Sequence, residues 1–449
     1  MEVEIISKEN VKPSSPTPHH LQIYNFSLLD QIAAPVFYPM VVYFLPEPDS
    51  NSSGKVDILR NSLSSHLVNF YPFAGIISDD YLSVKCNDEG IPFIIAKVRG
   101  TLQDFLSEPD PCVIIKFIPV DYISNQPRPG DHVSTIQVNC FECGGLAISI
   151  VVAHAVADGT TLATFLRGWA AAARSAGEEI CPEFLGQNLF PPIKAMERGS
   201  KLYISQLANF SKFGKFVTRR YLFETSVIEK LKERATSSDS SATAKPTRVE
   251  VVLAFIWKCY MKLFTDKPTL EKPSLLSNQV DLRRRADPAL PVESFGNFLW
   301  MMPTKCIMNP VEADFKDLVR EVNRAIRKVD SEFVKVLQNN GYYEKFKETR
   351  EGWLVKDANN LLASSWCKFG LYDLDFGWGK PIWLSGYVGG DSVTRFSDFV
   401  LLMDTRSGDG IEAWVFLEEK HVAAFEENED LQNHVLINPS PLQVGKRNM

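Results

Sequence analysis

Metal-binding residues are scarce in this chain. Its 449 residues include seven histidines and eight cysteines, and neither type clusters as a metal site requires. Cys140 and Cys143 form a C-x-x-C in "NCFECGG", but no second pair or histidine partner completes a zinc set. Long apolar runs are also missing. No stretch approaches the about 18 uninterrupted apolar residues of a membrane helix, so no membrane association is expected. The opening "MEVEIISKENVKPSSPTP" carries early acids and no apolar core, unlike a signal peptide. Reduced cysteines and a cytoplasmic location are the matching expectation. Positive charge is not in excess: the formal net charge is −7, which argues against a nucleic-acid partner. Several catalytic signatures are absent too. There is no G-x-S-x-G elbow, no H-E-x-x-H, no P-loop and no G-x-G-x-x-G after a strand.

What is present is the composition of a globular protein, 45% hydrophobic and 23% charged, with 29 phenylalanines supplying much of the apolar volume. The length exceeds one comfortable core and predicts two domains. In the first half, "PMVVYFLPEP" reads as a strand, and "KVDILRNSLSSHLVNF" reads as an amphipathic helix. Short β-rich runs follow: "LSVKCND", "PFIIAKV", "CVIIKFIPV", "STIQVNCF" and "GGLAISIVVA". A helix over "LATFLRGWAAAARSAG" follows, with Thr160 or Thr161 as its cap and Gly177 as its stop. The pattern then dissolves into a crossover. The boundaries are a first domain at 1–186, a crossover loop at 187–222 and a second domain at 223–449. In the second half, Thr247 and Glu250 spell a capping box before a strongly apolar helix. "DFKDLVREVNRAIRKVDSEFVKVL" reads as one long helix, and "ATSSDSSATAKP" as a polar loop. "FVLLMDTRSGDGIEAWVFL" reads as a hairpin.

Three stretches stand out chemically. In "SIVVAHAVADGTT", residues 149–161, a buried-looking strand ends on His154, with Asp158 and Gly159 after it. A packed core histidine followed by a turn aspartate is one reading, and a general base aimed into a cavity is the other. In "DFGWG", Asp375, Phe376, Gly377, Trp378 and Gly379 set two glycines around an indole, which implies a turn or a close backbone approach. In "QVDLRRRADPALP", three arginines run together shortly before the "FGN" that ends on Asn297. They are either solvated surface or the anchor of a buried carboxylate.

His154-Ala-Val-Ala-Asp158-Gly159 followed by Asp375-Phe-Gly-Trp-Gly379 resembles the two signatures of the plant BAHD acyl-CoA-dependent acyltransferases. The likeness extends over the whole chain through "SSPTP", "LLDQ", "FYPFAG" and "RVEVVLAFIW". The resemblance implies a mixed α/β fold of two chloramphenicol-acetyltransferase-like domains, each a mixed β-sheet with covering helices. It also implies a channel between them with the histidine at its middle. It implies His154 as general base, acyl-CoA as co-substrate with nothing bound permanently, and a small-molecule alcohol as acceptor. A particular likeness to alkaloid O-acetyltransferases implies acetyl transfer to an indole alkaloid by a monomeric enzyme. Trp366 and Asn297 become oxyanion donors, with Ser364 also lining the channel, and Ser365 and Thr247 become candidates for CoA contact. Asp158 becomes a structural partner of Arg283 rather than half of a catalytic dyad, and the Asp375–Gly379 loop becomes architectural. Two positions depart from the family pattern. Asp281 stands where the family commonly has asparagine, and Ile76 where "YPLAGR" has arginine. The alternatives are another acyl donor or acceptor class, a condensation domain of peptide synthesis, and a catalytically inactive binding protein. The condensation domain is disfavoured by the lack of a second adjacent histidine, and the inactive protein by the intact motifs.

Overall fold

A computed structural model describes residues 1–443 apart from 48–51, 120, 122–125, 176, 178, 194–211, 237–244, 265–271, 305–312, 354, 356–357 and 387–392. Most of "ATSSDSSATAKP" and half of the crossover fall outside the described residues.

The apolar runs of the first half build a six-stranded sheet. Its order is Val3–Val11, Ile91–Val98, Ser134–Phe141, Leu146–Ala153, Phe37–Phe44 and Trp383–Ser385. Every pairing is antiparallel except that of Ile91–Val98 with Ser134–Phe141. Leu146–Ala153 and Phe37–Phe44 are buried at every position, which is why they read as continuous apolar runs. The helices Ser52–His66 and Gly159–Ala173 pack together. His66 Nε2 bonds the Phe165 carbonyl oxygen at 3.0 Å, and the Trp169 indole N–H donates to the Leu59 carbonyl at 3.1 Å. Gly168 permits this approach, since a Cβ there would lie 2.3 Å from the His66 ring.

The second half builds a larger mixed sheet in the order Leu299–Pro303, Ser274–Asp281, Asn359–Ser365, Phe399–Asp404, Ile411–Glu418, Lys212–Phe223 and Val393–Phe396. Leu436–Ile437 also pairs with Lys212–Phe223. The expected capping box is present: Thr247 Oγ1 accepts from the Glu250 N–H, and Glu250 accepts from the Thr247 N–H. The hairpin of Phe399–Asp404 and Ile411–Glu418 is present too, with Gly408 at positive φ in its turn.

Four local expectations differ from the structure. "CVIIKFIPV" is helical at Pro111–Ile114 and Ile115–Phe117, because Pro111 opens a turn whose N-terminus Asp110 caps. The long helix is two, Phe315–Arg327 and Ser331–Gln338, since Asp330 caps the second. The helix after the histidine is capped by Asp158, not Thr160 or Thr161, and it ends at Ala173 ahead of Gly177. Residues 212–222, expected as crossover, belong to a strand of the second sheet.

The halves are interlocked. Trp383–Ser385 leaves the second half to pair with Phe37–Phe44, and Trp366, Phe376, Trp378, Trp383 and Trp414 all join the first half's core. A boundary drawn at the crossover therefore misses a strand and several aromatic residues that the second half gives to the first.

Candidate active site

The strand Leu146–Ala153 delivers His154 at its exit, where the His154 N–H donates to the Val36 carbonyl at 2.8 Å. Four residues on, Asp158 caps the helix Gly159–Ala173 by accepting from the Thr161 N–H at 2.9 Å. The Asp158 carboxylate faces Arg283, not the histidine. Arg283 Nη1 and Nη2 donate to its two oxygens at 2.7 and 3.1 Å, and both side chains are about 1% exposed. The Phe298 N–H donates to it at 3.0 Å. Burial opposes the charge on Asp158, but the Arg283 guanidinium and these hydrogen bonds outweigh it and hold the carboxyl below its usual range.

Arg283 also donates to Thr161 Oγ1 and to the carbonyls of Ser294 and Gly296, and its guanidinium lies over the Phe298 ring. It thus ties the histidine loop of the first half to the Ser294–Phe298 loop of the second. Asp281 shares this cation: it accepts from the Arg283 N–H at 3.0 Å and from Nη1 at 3.3 Å. Its pKa rises because burial and the Asp158 charge resist a second carboxylate there. Ile76 lies in a small strand paired with Ser83–Lys85, away from this cluster.

Asn297 touches the histidine, though not as expected. Its Nδ2 donates to the His154 carbonyl at 2.8 Å and to Asp30 at 2.9 Å, while its Oδ1 lies 3.1 Å from His154 Nδ1. Both amide hydrogens are thus committed, which leaves none for an oxyanion. The oxygen facing Nδ1 selects the tautomer that carries its proton on Nδ1, so Nε2 holds the lone pair. Burial holds the imidazole below its ordinary pKa and so neutral at pH 7.

Aromatic rings complete the surroundings. The Tyr38 ring lies 5.1 Å from that of His154 and 6.0 Å from that of Trp366, and its hydroxyl donates to the Ala157 carbonyl. Trp366, from the second half, reaches the histidine loop at Gly159. A Cβ on Gly159 would lie 2.9 Å from Trp366 Nε1 and 2.8 Å from the Phe369 ring, so glycine is what lets both rings close on the loop. Ser364 is half-buried on the strand just before Trp366.

Thr247 precedes Arg248 and Ser365 lies three residues before Lys368, and Asp404 binds both Arg248 and Lys368. That carboxylate accepts from Arg248 Nη2 at 3.1 Å and from the Lys368 N–H at 2.6 Å. Ser365 Oγ accepts from the Cys367 N–H. The Asp375 loop is elsewhere again: Asp375 accepts from the N–H groups of Gly377 and Gly379, both at positive φ. Phe376 and Trp378 stack on each other and meet Trp169 and Phe44 edge-on. No cluster of three or more metal-ligating side chains occurs among the described residues, and no described helix is long and apolar enough to cross a membrane.

Sequence reasoning passed over two residues here. Asp30 lies in the quoted "LLDQ", and the Ser27-x-x-Asp30 capping box was its available signal. Tyr38 carried no signal beyond its place in an apolar strand.

The model of the Transferase family matches residues 1–432. A limonoid 7-O-acetyltransferase of Citrus sinensis is 37% identical, covering 98% of this chain and all of that protein. Salutaridinol 7-O-acetyltransferase of Papaver somniferum is 34% identical, covering 94% of this chain and 96% of its own. The crystal structure of vinorine synthase superposes with a TM-score of 0.77 at 30% identity, covering 97% of this chain and 98% of that one. A TRI101 structure from F. sporotrichioides with coenzyme A and T-2 shares the fold at 17% identity and a TM-score of 0.68. With both motifs in place and the likeness running nearly end to end, the chain belongs to the Transferase family of BAHD acyltransferases and is an acyltransferase enzyme.

Proposed function

We propose that this enzyme transfers acetyl from acetyl-CoA to a hydroxyl of a polycyclic plant metabolite, with His154 as general base. The observation that carries the reading is the histidine itself, which is neutral and pinned through Nδ1 to Asn297. Its Nε2 makes no hydrogen bond among the described residues. An alcohol is a poor nucleophile until its proton is removed. Nε2 takes that proton as the hydroxyl oxygen attacks the thioester carbonyl, a contribution of roughly 10²–10⁴-fold. The C–S bond then breaks, and the imidazolium returns the proton to the departing CoA thiolate. No acyl-enzyme is required, because the acceptor attacks the thioester directly.

Trp366 remains the candidate donor to the tetrahedral oxyanion, since its indole N–H lies beside Gly159. Ser364 is the candidate channel residue beside it. For CoA we propose the Thr247 and Ser365 neighbourhood, where Asp404 draws together Arg248 and Lys368.

Names of relatives bear on the acceptor. Proteins named for limonoid O-acetylation are 37% and 31% identical, one named for epi-neemfruitin B is 38% identical, and those named for salutaridinol and stemmadenine are 34% and 32% identical. A limonoid-type triterpenoid alcohol is therefore the first choice. The indole-alkaloid expectation stands second, supported by the likeness to vinorine synthase. The test offers a panel of acyl-CoAs against pooled triterpenoid, alkaloid and phenolic alcohols and reads product mass. An added acetyl on a triterpenoid is the expected result. Transfer of a different acyl group, or of acetyl to another class alone, would overturn the substrate assignment. In the same assay kcat/KM should hold level down to pH 6.5 and fall only below it, because burial lowers the His154 pKa.

A further inference from the structure

The structure assigns a second positioning residue to His154. We propose that Asp30 locks the Asn297 amide in one orientation and so fixes the proton of His154 on Nδ1, leaving Nε2 as the acceptor. This rests on the reading of His154 as general base.

Asp30 comes from the first half, on the short helix Leu28–Gln31, and is 1% exposed. Its carboxylate accepts from the Ser27 N–H at 2.9 Å, Ser27 Oγ at 2.7 Å and the Tyr24 hydroxyl at 3.3 Å. It also accepts from Asn297 twice, from the backbone N–H at 2.7 Å and from Nδ2 at 2.9 Å. No positive side chain is among these partners, so a buried carboxylate is held here by neutral donors alone. Burial pushes its pKa up to about 6 against the hydrogen bonds from Asn297 and Ser27, which leaves it ionised at pH 7. Gly296 makes the geometry possible. It sits at φ +118°, and a Cβ there would lie 3.1 Å from the Tyr24 hydroxyl and 3.2 Å from Asp30 Oδ1.

An amide is nearly symmetric in shape, so only hydrogen bonding decides which end faces the histidine. Rotating the Asn297 amide by half a turn would set its oxygen against the Asp30 carboxylate and the His154 carbonyl, two acceptors. It would also present N–H to His154 Nδ1. The imidazole would then protonate on Nε2 and lose the lone pair that faces substrate. Asp30 is the charged half of that discrimination, and the His154 carbonyl is the neutral half.

The experiment uses Asp30→Asn, which keeps shape and removes the charge. Thermal unfolding checks its fold, and Asp30→Ser stands in if the asparagine variant fails to fold. Nitrogen-15 spectra of the labelled imidazoles, with His154→Ala identifying the signals, report the tautomer without any turnover. The expected result is an Nδ1–H tautomer in the wild type and a mixed or Nε2–H signal in the variant. The kcat should fall on the order of 10²-fold while KM for CoA and acceptor changes little. An Nε2–H signal in the wild type would overturn the proposal. So would a folded variant with wild-type tautomer and kcat. Failure of both variants to fold would make Asp30 a structural residue only and overturn the assignment equally. A wild-type Nδ1–H signal together with an active, folded His154→Ala protein would sink the general-base reading instead, so the two failures are distinct.

Discussion

The two motif aspartates, Asp158 and Asp375, look alike in sequence, each followed closely by glycine, yet they do different work. Asp158 is about 1% exposed and bound bidentately by an arginine of the other half. The side chain of Asp375 is 29% exposed and binds mainly its own loop, with Arg174 3.8 Å away. One helix separates them. Gly159–Ala173 begins at Asp158 and ends at Arg174, and its 15 residues span roughly 22 Å. The first motif therefore bolts the halves together beside His154, the proposed general base. The second seats two aromatic rings at the far end of the same helix, where the strand Trp383–Ser385 joins the first sheet. Short motifs report that a backbone is constrained; burial and partners say for what purpose.

The comparison breaks if the two carboxylates have equal effects. Asp158→Ala leaves the Arg283 guanidinium buried without its main counter-charge and should cost about 3–5 kcal/mol of stability. Denaturant unfolding checks this, and an unchanged midpoint would contradict the bolt. Between the two ends lies His66, whose burial against Gly168 and Phe165 lowers its pKa to about 3. The unfolded chain binds that proton below pH 6.5 and the folded one does not, so this site makes stability fall as pH drops through that window. Comparing pH 7 with pH 5, His66→Gln should remove a loss of about 2 kcal/mol. An equal pH slope in the variant would refute the role. Asp375→Ala loses two hydrogen bonds to backbone at a partly exposed site and should cost about 1–2 kcal/mol, with kcat little changed. A stable but inactive Asp375→Ala protein would place that loop in the chemistry and erase the contrast.

Much of this was legible in the chain. Fully apolar runs announced the central strands, the Thr247–Glu250 spacing announced a helix start, and the two motifs announced the family. Asp158–Arg283 was expected from that resemblance and is present. What escaped the sequence was long-range geometry. Nothing in "PIWLS" says that Trp383–Ser385 crosses to the other half's sheet. "CVIIKFIPV" has strand composition, but a capping aspartate and a proline at its entry set a helical turn. Asn297 was expected to donate to an oxyanion. Its hydrogens go instead to Asp30 and the His154 carbonyl, contacts between residues 267 and 143 apart that no local pattern carries.

The central claim is that His154, held by a loop from the other half, takes the acceptor's proton. Its most direct test is the rate of acetyl transfer by His154→Ala, measured in protein shown to be folded and to bind CoA as wild type does. The account predicts a fall of roughly 10²–10⁴-fold or more. Turnover close to wild type in that folded variant would contradict it.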